Sequence, residues 1–416
     1  MEKTSFLTEE QARRIQREFG TPVYVYDQRT LEEQARKALA FPAPFGLTVR
    51  FAMKALPNAS VIRIFTEMGL HIDASSGFEA ERAMRAGVQA GNIQITAQEL
   101  PKNLEELLSK GVLFNACSLH QLREYGKLRP GAEVSVRINP GLGSGHSNRT
   151  NVGGPSASFG IWHEQLDDIF AVAKEYGLRL TRMHTHVGSG TDPEVWNCCA
   201  QLSLGIAARM PEVRLLSLGG GFKVARMSYE KSADLQEIGK KIADSLEAFN
   251  TAHNRKLYLE IEPGTFLAAP SGAVVCTITD VVNTGNDGCY FIKVDSGMTE
   301  NARPSMYGAQ HPIAVVPAEP ESRGTRLYLV VGHCCESGDI LTPEPGNPEG
   351  IQPRELLEAR IGDILVVGGA GAYCAGMSCK NYNSFPEAAE ILLKTDGTFQ
   401  LIRSRQTIDQ IIQNEI

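Results

Sequence analysis

No stretch of this 416-residue chain approaches the roughly 18 consecutive apolar residues of a membrane-spanning helix, so none is predicted. Excess positive charge is also missing. Asp and Glu number 48 against 41 Lys and Arg, for a net charge of −7. With no basic run, that argues against a nucleic-acid footprint or a polybasic membrane anchor. The segment MEKTSFLTEEQARRIQREFG has no apolar core, so it does not read as a secretory signal. No Cys-x-x-Cys pairs with a second one, so the usual spacing of a structural zinc site is absent. The nine cysteines are scattered and include the adjacent pairs Cys198–Cys199 and Cys334–Cys335. Such a set makes a poor disulfide framework and predicts a reducing, cytoplasmic setting.

What is present is ordinary globular composition, 42% hydrophobic and 21% charged, in a chain long enough for two domains. From residue 47 onward, β-rich runs alternate with helical patterns. The candidate strands are 47–54, 71–74, 93–97, 113–117, 133–139, 180–187, 215–219 and 256–262. Intervening segments such as NASVIRIFTEMG, SSGFEAERAMRAG and LPKNLEELLSKG each close on glycine, a helix stop signal. Strands alternating with helices imply parallel pairing. The pattern predicts an α/β fold, a (β/α)8 TIM-type barrel over residues 28–268. A doubly wound sheet is the alternative. After residue 270 the runs GAVVCTITDVV, CYFIKVD, TRLYLVVG and DILVVGG predict an all-β C-terminal domain over 269–416. Residues 1–27 join it through TPVYVYD. The Gly/Ser/Asn-rich loop 140–158 is long for a compact domain, which favours a functional role.

TIM-type barrels carry their active sites at the C-terminal ends of the strands. Those ends hold Lys54, Asp73, the run His184-Thr185-His186-Val187-Gly188-Ser189, the run Gly219-Gly220-Gly221, and Glu262-Pro263-Gly264. Three successive glycines let a backbone approach an anion closely, and the barrel's usual phosphate site follows strands seven and eight. A tight turn without a ligand is the plain alternative. A lysine at a buried strand end is costly to desolvate, and a lowered pKa makes its amine a Schiff-base nucleophile. A lysine that reaches solvent is the equal alternative. A carboxylate such as Glu262 facing a pyridine nitrogen keeps that nitrogen protonated. For any single Glu, a salt bridge is the commoner role. His184 and His186 share one face of a strand. They read either as a metal pair with Asp73 and Glu262, or as a stacking imidazole at His186 beside a hydrogen-bonded core histidine at His184. Together these residues place an amine, a phosphate cradle, a carboxylate and a flat side chain at one mouth. Pyridoxal phosphate needs those parts.

The motifs FAMKALPN, HTHVGSG, LGGGF, EPG, RPSMYGAQHPI, CESGDIL and GAYCAGMSCKNYNSFP, in this order, resemble the fold-type III pyridoxal-phosphate decarboxylases, and among them the diaminopimelate decarboxylase family. The resemblance runs from about residue 20 to the C-terminus. It implies that Lys54 carries pyridoxal 5'-phosphate and His186 stacks on it. Ser189, Gly219, Gly220, Gly221, Gly264 and Tyr373 would hold its phosphate, and Glu262 would pair with its ring nitrogen. Asp73 and Thr265 count as cofactor neighbours at the same mouth. It implies a homodimer with shared sites, in which Cys335 and Glu336 reach the partner's site and Cys335 is the general acid. Arg303 and Tyr307 would grip the carboxylate that the product keeps, with Glu336, Tyr373 and Lys380 as further substrate contacts.

The chain departs from the family pattern twice. Thr265 stands where Arg commonly follows EPG. In MSCKNYNSFP, Lys380 is an added residue and Phe385 replaces a frequent Arg. One cation is lost and one gained, so Lys380 is expected to replace the missing arginine in part. The expected activity is decarboxylation of meso-2,6-diaminopimelate to L-lysine, with no metal and an amino acid as the small-molecule substrate. A decarboxylase of another basic or dicarboxylic amino acid, a silent cofactor-binding paralogue and a barrel metallohydrolase are the alternatives.

Overall fold

A computed structural model describes residues 6–142, 153–186 and 190–416. The chain divides into two compact units. One comprises Glu32–Val224 and Lys231–Leu267, the other Met1–Leu31, Ala225–Glu230 and Ala268–Ile416.

In the first unit the strands are, in chain order, Leu47–Ala52, His71–Ala74, Ile93–Ile95, Leu113–Ala116, Glu133–Asn139, Arg179–His184, Leu215–Ser217 and Tyr258–Ile261. They pair in parallel with their chain neighbours, with Ala52 opposite Asp73 and Asn115 opposite Ser135. Leu259 opposite Leu47 closes the ring, so the barrel expected from the alternating pattern is the fold. Phe51, Ile72, Ile95, Val136, Ile138 and Ile261 are fully buried in it. Burying each such side chain stabilises the fold by roughly 1.5–3 kcal/mol.

The period of two along a strand also brings polar residues inward. Arg50 Nε donates to Glu260 Oε2 at 2.7 Å, and Arg182 Nη2 lies 3.1 Å from the same oxygen and 2.6 Å from Gln94 Oε1. Two residues further on, the same faces carry His184 and Glu262. Helices following the strands are capped by side chains: Asn58 accepts from Ser60 N and Ser76 from Glu79 N. Each such cap is worth about 1 kcal/mol and fixes the loop just after a site strand. The glycine stop at Gly87 sits at φ +99°, a backbone that other residues rarely adopt.

The strands end earlier than their apolar runs suggest. The first stops at Ala52, and Lys54 lies in the one-turn 3-10 helix Met53–Ala55. The sixth stops at His184, the seventh at Ser217 and the eighth at Ile261, so the glycine run and Glu262 belong to loops. Most of the loop 140–158 falls on 143–152, outside the described residues.

The second unit is built on a mixed nine-stranded sheet. Val23–Asp27 pairs antiparallel with Gly272–Asn283 and parallel with Ala389–Leu393, so the early TPVYVYD run does join the β-rich region. Val23, Val25, Val275, Ile364 and Ile391 make its core. The hexapeptide Ala225–Glu230 also packs in this unit. Arg226 Nε donates to Gly369 O at 3.0 Å, and Arg354 Nη2 lies 3.8 Å from Met227 Sδ. Nothing in its composition marks that assignment.

Candidate active site

The barrel mouth is held together by backbone contacts around Lys54. Ala52 N donates to Pro263 O at 3.3 Å. A side chain at Gly264 would stand only 3.2 Å from Ala55 Cβ and 3.3 Å from Ala52 Cβ. The turn carrying Lys54 is therefore packed against the end of the eighth strand. Lys54 itself is exposed, as in the alternative of a lysine that reaches solvent: the strand stops at Ala52 and the 3-10 turn lifts the side chain off it. Its charge still acts on the Asp73 and Glu79 carboxyls and on His186.

Glu262 is buried with partners on both oxygens. His184 Nε2 lies 2.8 Å from Oε2, Ser217 Oγ donates to Oε1 at 2.9 Å, and Gln94 Nε2 stands 3.5 Å from Oε1. Burial works to raise its pKa, but the His184 charge and the hydrogen bonds from His184 and Ser217 outweigh it and hold the carboxyl below its usual range. Asp73 goes the other way. Burial raises its pKa, the neighbouring Glu262 carboxylate raises it further, and Lys54 only partly opposes them. Of the two buried acids, Glu262 carries the charge. Asp73 Oδ1 has no hydrogen-bond partner among the described residues.

His186 Nδ1 accepts from Gly220 N at 3.0 Å, which leaves the proton of a neutral ring on Nε2. Burial, then Arg137, Lys54 and His184, push the imidazole pKa well below its usual value. The ring lies near-parallel to His184, with centroids 6.5 Å apart. The glycine run fits against both groups. At Gly219, φ is +70° and a Cβ would stand 2.4 Å from His186 Nδ1; at Gly220 it would stand 2.2 Å from Glu262 O. No L side chain is accommodated at either position. The N–H of Gly219 points to Ser217 Oγ at 3.2 Å, and that of Gly220 is bonded to His186. These two glycines therefore give close approach more than donors. Ser189 lies outside the described residues, and Thr265 opens the short helix Thr265–Ala268.

The β-rich unit carries the remaining predicted residues, described within that unit. Arg303 and Tyr307 begin and end a five-residue helix, with the guanidinium 5.9 Å from the Tyr307 ring centroid. Cys335 is exposed, and its N–H donates to Asn383 Oδ1 at 2.8 Å. Glu336 Oε1 accepts from Gly338 N at 3.1 Å. The Cys334 thiol is pushed up to about 12, first by burial and then by Asp339, as suits a packing residue. Tyr373 has φ +58°, and Asn381, Asn383 and Ser384 also sit at positive φ. Asn enters this region readily, so the strain, on the order of 1–3 kcal/mol each, falls on Tyr373 and Ser384. Lys380 Nζ lies 2.8 Å from Glu387 Oε2, which Arg403 also contacts. Its charge is thus engaged. Phe385 stacks on His333 at 3.6 Å, and burial holds that imidazole at about 4.

Ser217, Gln94, Arg137 and Arg226 take part in these contacts without being marked by any motif. Polar residues at inward positions of barrel strands were the available signal for the first three. Of the two readings of His184, metal ligand or hydrogen-bonded core histidine, the structure shows the hydrogen bond, with Glu262 as the partner. Among the described residues no group of three or more His, Cys, Asp or Glu converges as a metal site.

Within the barrel unit the set comprises a lysine amine, a neutral flat imidazole, an ionised buried carboxylate and a loop shaped for close approach. The carboxylate keeps unused lone pairs for an N–H donor. Pyridoxal phosphate, with its aldehyde, flat ring, ring nitrogen and phosphate, fits these groups.

Comparison with known proteins agrees. Residues 29–269 match the family described as "Pyridoxal-dependent decarboxylase, pyridoxal binding domain". The chain is 34% identical to diaminopimelate decarboxylase of Escherichia coli K12, covering 99% of this chain and 97% of that protein. It is also 34% identical to the enzyme of that name from Streptomyces coelicolor, covering 96% and 90%. A crystal structure of diaminopimelate decarboxylase superposes with a TM-score of 0.92 at 34% identity, covering 99% of this chain and 97% of that one. This chain belongs to the pyridoxal-dependent decarboxylase family, and pyridoxal phosphate is its cofactor.

Proposed function

We propose that this chain decarboxylates meso-2,6-diaminopimelate to L-lysine and CO2, the last step of lysine biosynthesis, as a cytoplasmic homodimer with shared active sites. The observation that carries this reading is the Glu262 carboxylate, kept ionised by His184 and Ser217 at the mouth that holds Lys54, in a chain 34% identical to diaminopimelate decarboxylases over nearly all its length.

When bound, pyridoxal phosphate supplies the ring that accepts the electron pair released as CO2 leaves. The Lys54 amine would anchor it at this mouth. Glu262 keeps a proton on the ring nitrogen, and neutral His186 offers a flat face without a competing charge. Asp73 and Thr265 line the cofactor. Ser189, Gly219, Gly220, Gly221, Gly264 and Tyr373 receive the phosphate, with Gly219 and Gly220 acting through shape. Arg303 and Tyr307 hold the carboxylate that the product keeps, an arginine fork being suited to it. Glu336 and Cys335 serve the partner's site, and Cys335 delivers the proton to the α-carbon.

A second reading, decarboxylation of another basic or dicarboxylic amino acid, is favoured by Thr265 alone. One measurement separates them: CO2 release from meso-diaminopimelate, lysine, ornithine and arginine. Release from the first alone is the expected result. Faster release from lysine or ornithine would establish the second reading.

A further inference from the structure

Thr265 leaves this chain without the arginine that its motif would supply, and the Lys380 ammonium is engaged by Glu387. The β-rich unit holds another cation. Arg226 lies in the hexapeptide Ala225–Glu230 and is fixed at its base. Its Nε donates to Gly369 O at 3.0 Å, and Gly369, at φ +62°, packs so closely that a Cβ would stand 3.0 Å from Arg226 Cγ. Its Nη2 is buried and has no hydrogen-bond partner among the described residues. In the same unit Arg303 Nε is also buried without a hydrogen-bond partner among the described residues, while the Arg303 backbone N–H turns to Asn301 Oδ1 at 3.3 Å.

The surroundings offset this pair only in part: burial and Arg303 oppose the Arg226 charge, while Cys374, Glu230 and Tyr373 favour it. His311 Nδ1 lies 2.9 Å from Gly368 O, the residue before Arg226's own acceptor, and burial together with Arg226 and Arg303 keeps the imidazole uncharged. Arg354 is satisfied elsewhere, with Nη1 donating to Gln310 Oε1 at 2.6 Å and Nη2 to His311 O at 3.2 Å. Glu230 is the nearby acid, and its Oε2 accepts from the backbone N–H groups of Arg226 and Met227 at 2.8 and 3.1 Å. Burial and the Arg303 charge lower the Arg226 pKa to about 9. Two guanidiniums that repel each other and keep buried donors without acceptors are a costly arrangement unless an oxyanion lies between them.

We propose that Arg226 is a specificity-determining residue which, with Arg303, clamps a carboxylate of the substrate and takes over the work of the arginine absent at Thr265. The clamp rests on the reading above, which gives Arg303 that carboxylate. The cofactor's phosphate is the other oxyanion of matching chemistry.

The test uses holoenzyme and pimelate, a dicarboxylate with no amine to react. Its affinity is measured by calorimetry for the wild type, Arg226→Gln and Arg226→Lys, beside the visible absorbance of bound cofactor and the rate of CO2 release from meso-diaminopimelate. Loss of charge-assisted bonds should weaken pimelate by about tenfold to a hundredfold in Arg226→Gln, with the absorbance retained. KM should rise and kcat change little. Arg226→Lys keeps the charge without the fork, so it should fold and lose an intermediate part of the affinity. Pimelate affinity unchanged in both variants overturns the clamp, as does a wild type that does not bind pimelate. Loss of cofactor absorbance with unchanged pimelate affinity overturns it in favour of phosphate. Arg226-dependent pimelate binding by an enzyme that releases no CO2 from meso-diaminopimelate supports the clamp and sinks the substrate reading alone.

Discussion

His184 Nε2 lies 2.8 Å from Glu262 Oε2, and both side chains are buried within the barrel mouth. This contact sets the electrostatics of the site. A buried carboxyl alone would tend to keep its proton; with His184 on one oxygen and Ser217 on the other, Glu262 stays ionised. Its neighbour Asp73 then bears the consequence and holds its proton more tightly.

Removing the imidazole should reverse that order. In His184→Ala, Glu262 loses its strongest partner and its pKa rises, so the acid limb of kcat/KM against pH moves to higher pH. At neutral pH the rate should fall by about tenfold to a hundredfold, the value of one charge-assisted hydrogen bond. His184→Gln can still donate and should lose less. A pH profile that stays in place in His184→Ala would show that another group sets the Glu262 charge.

Asp73 predicts a stability effect of opposite sign to that of Glu262. Its folded pKa is raised above the unfolded one, so its favourable contribution is complete below the ordinary carboxylate range. It is lost as pH climbs through the raised value. Asp73→Asn keeps the shape without a titrating group. In the cofactor-stripped enzyme it should raise Tm above that range and do little or nothing useful below it. A gain of about 1 kcal/mol corresponds to roughly 2–4 °C for a unit of this size. Thermal melts at pH 4 and pH 8 give the comparison, and equal shifts at both would count against an ionisation penalty at Asp73.

Much of this site was legible because chemistry and periodicity coincide. The run LTRMHTHV shows that His184 and His186 share a face, and KLYLEIE does the same for Glu260 and Glu262. The barrel follows from such runs, since parallel strands with helices between them leave few closed arrangements. What could not be read is which inward residue meets which. The contacts of Glu262 with His184 and Ser217 join residues 78 and 45 positions apart. Of the two readings of Lys54, the lysine that reaches solvent is the one found, and for a local reason. The apolar run LTVRFAM continues to the lysine, but the strand gives way to a 3-10 turn at Met53 and exposes it. Arg226 was missed because only the fold shows that its hexapeptide packs with the β-rich unit.

Close approach at the glycine run sets up a paired comparison. In Gly220→Ala the new Cβ would meet Glu262 O, a backbone atom fixed by its own strand end, at 2.2 Å. The mouth must shift, and binding of cofactor should be lost along with several kcal/mol of stability, roughly the upper range for overpacking. Gly205 lies in the helix Pro193–Ala208 and is exposed, and a Cβ there would meet no atom within 4 Å among the described residues beyond its neighbours and the helix's own backbone. Gly205→Ala should stabilise the enzyme by up to about 1 kcal/mol through helix propensity, with activity unchanged. Cofactor titration and thermal melts on both variants test the contrast. Normal cofactor affinity in Gly220→Ala would mean that the loop can move away from Glu262.

The adjacent cysteines divide by environment, and that division can be measured. Cys334 has its N–H on Asp339 Oδ2 at 2.9 Å and a thiol pushed up to about 12 by burial and Asp339, so it keeps its proton throughout the working range. Cys335 is exposed, on a turn fixed through Asn383, which sits at φ +50°. General-acid work needs a group that can both give up a proton and recover it, which suits an accessible thiol and not one locked beside a carboxylate. Cys335→Ala should therefore lower kcat by about a hundredfold or more, within the range for a lost general acid, while CO2 release keeps the wild-type substrate order. Cys334→Ala should leave kcat within about threefold and lower Tm instead, because a small packed side chain has been removed. If Cys334→Ala proves the inactive variant, the proton donor has been assigned to the wrong member of the pair.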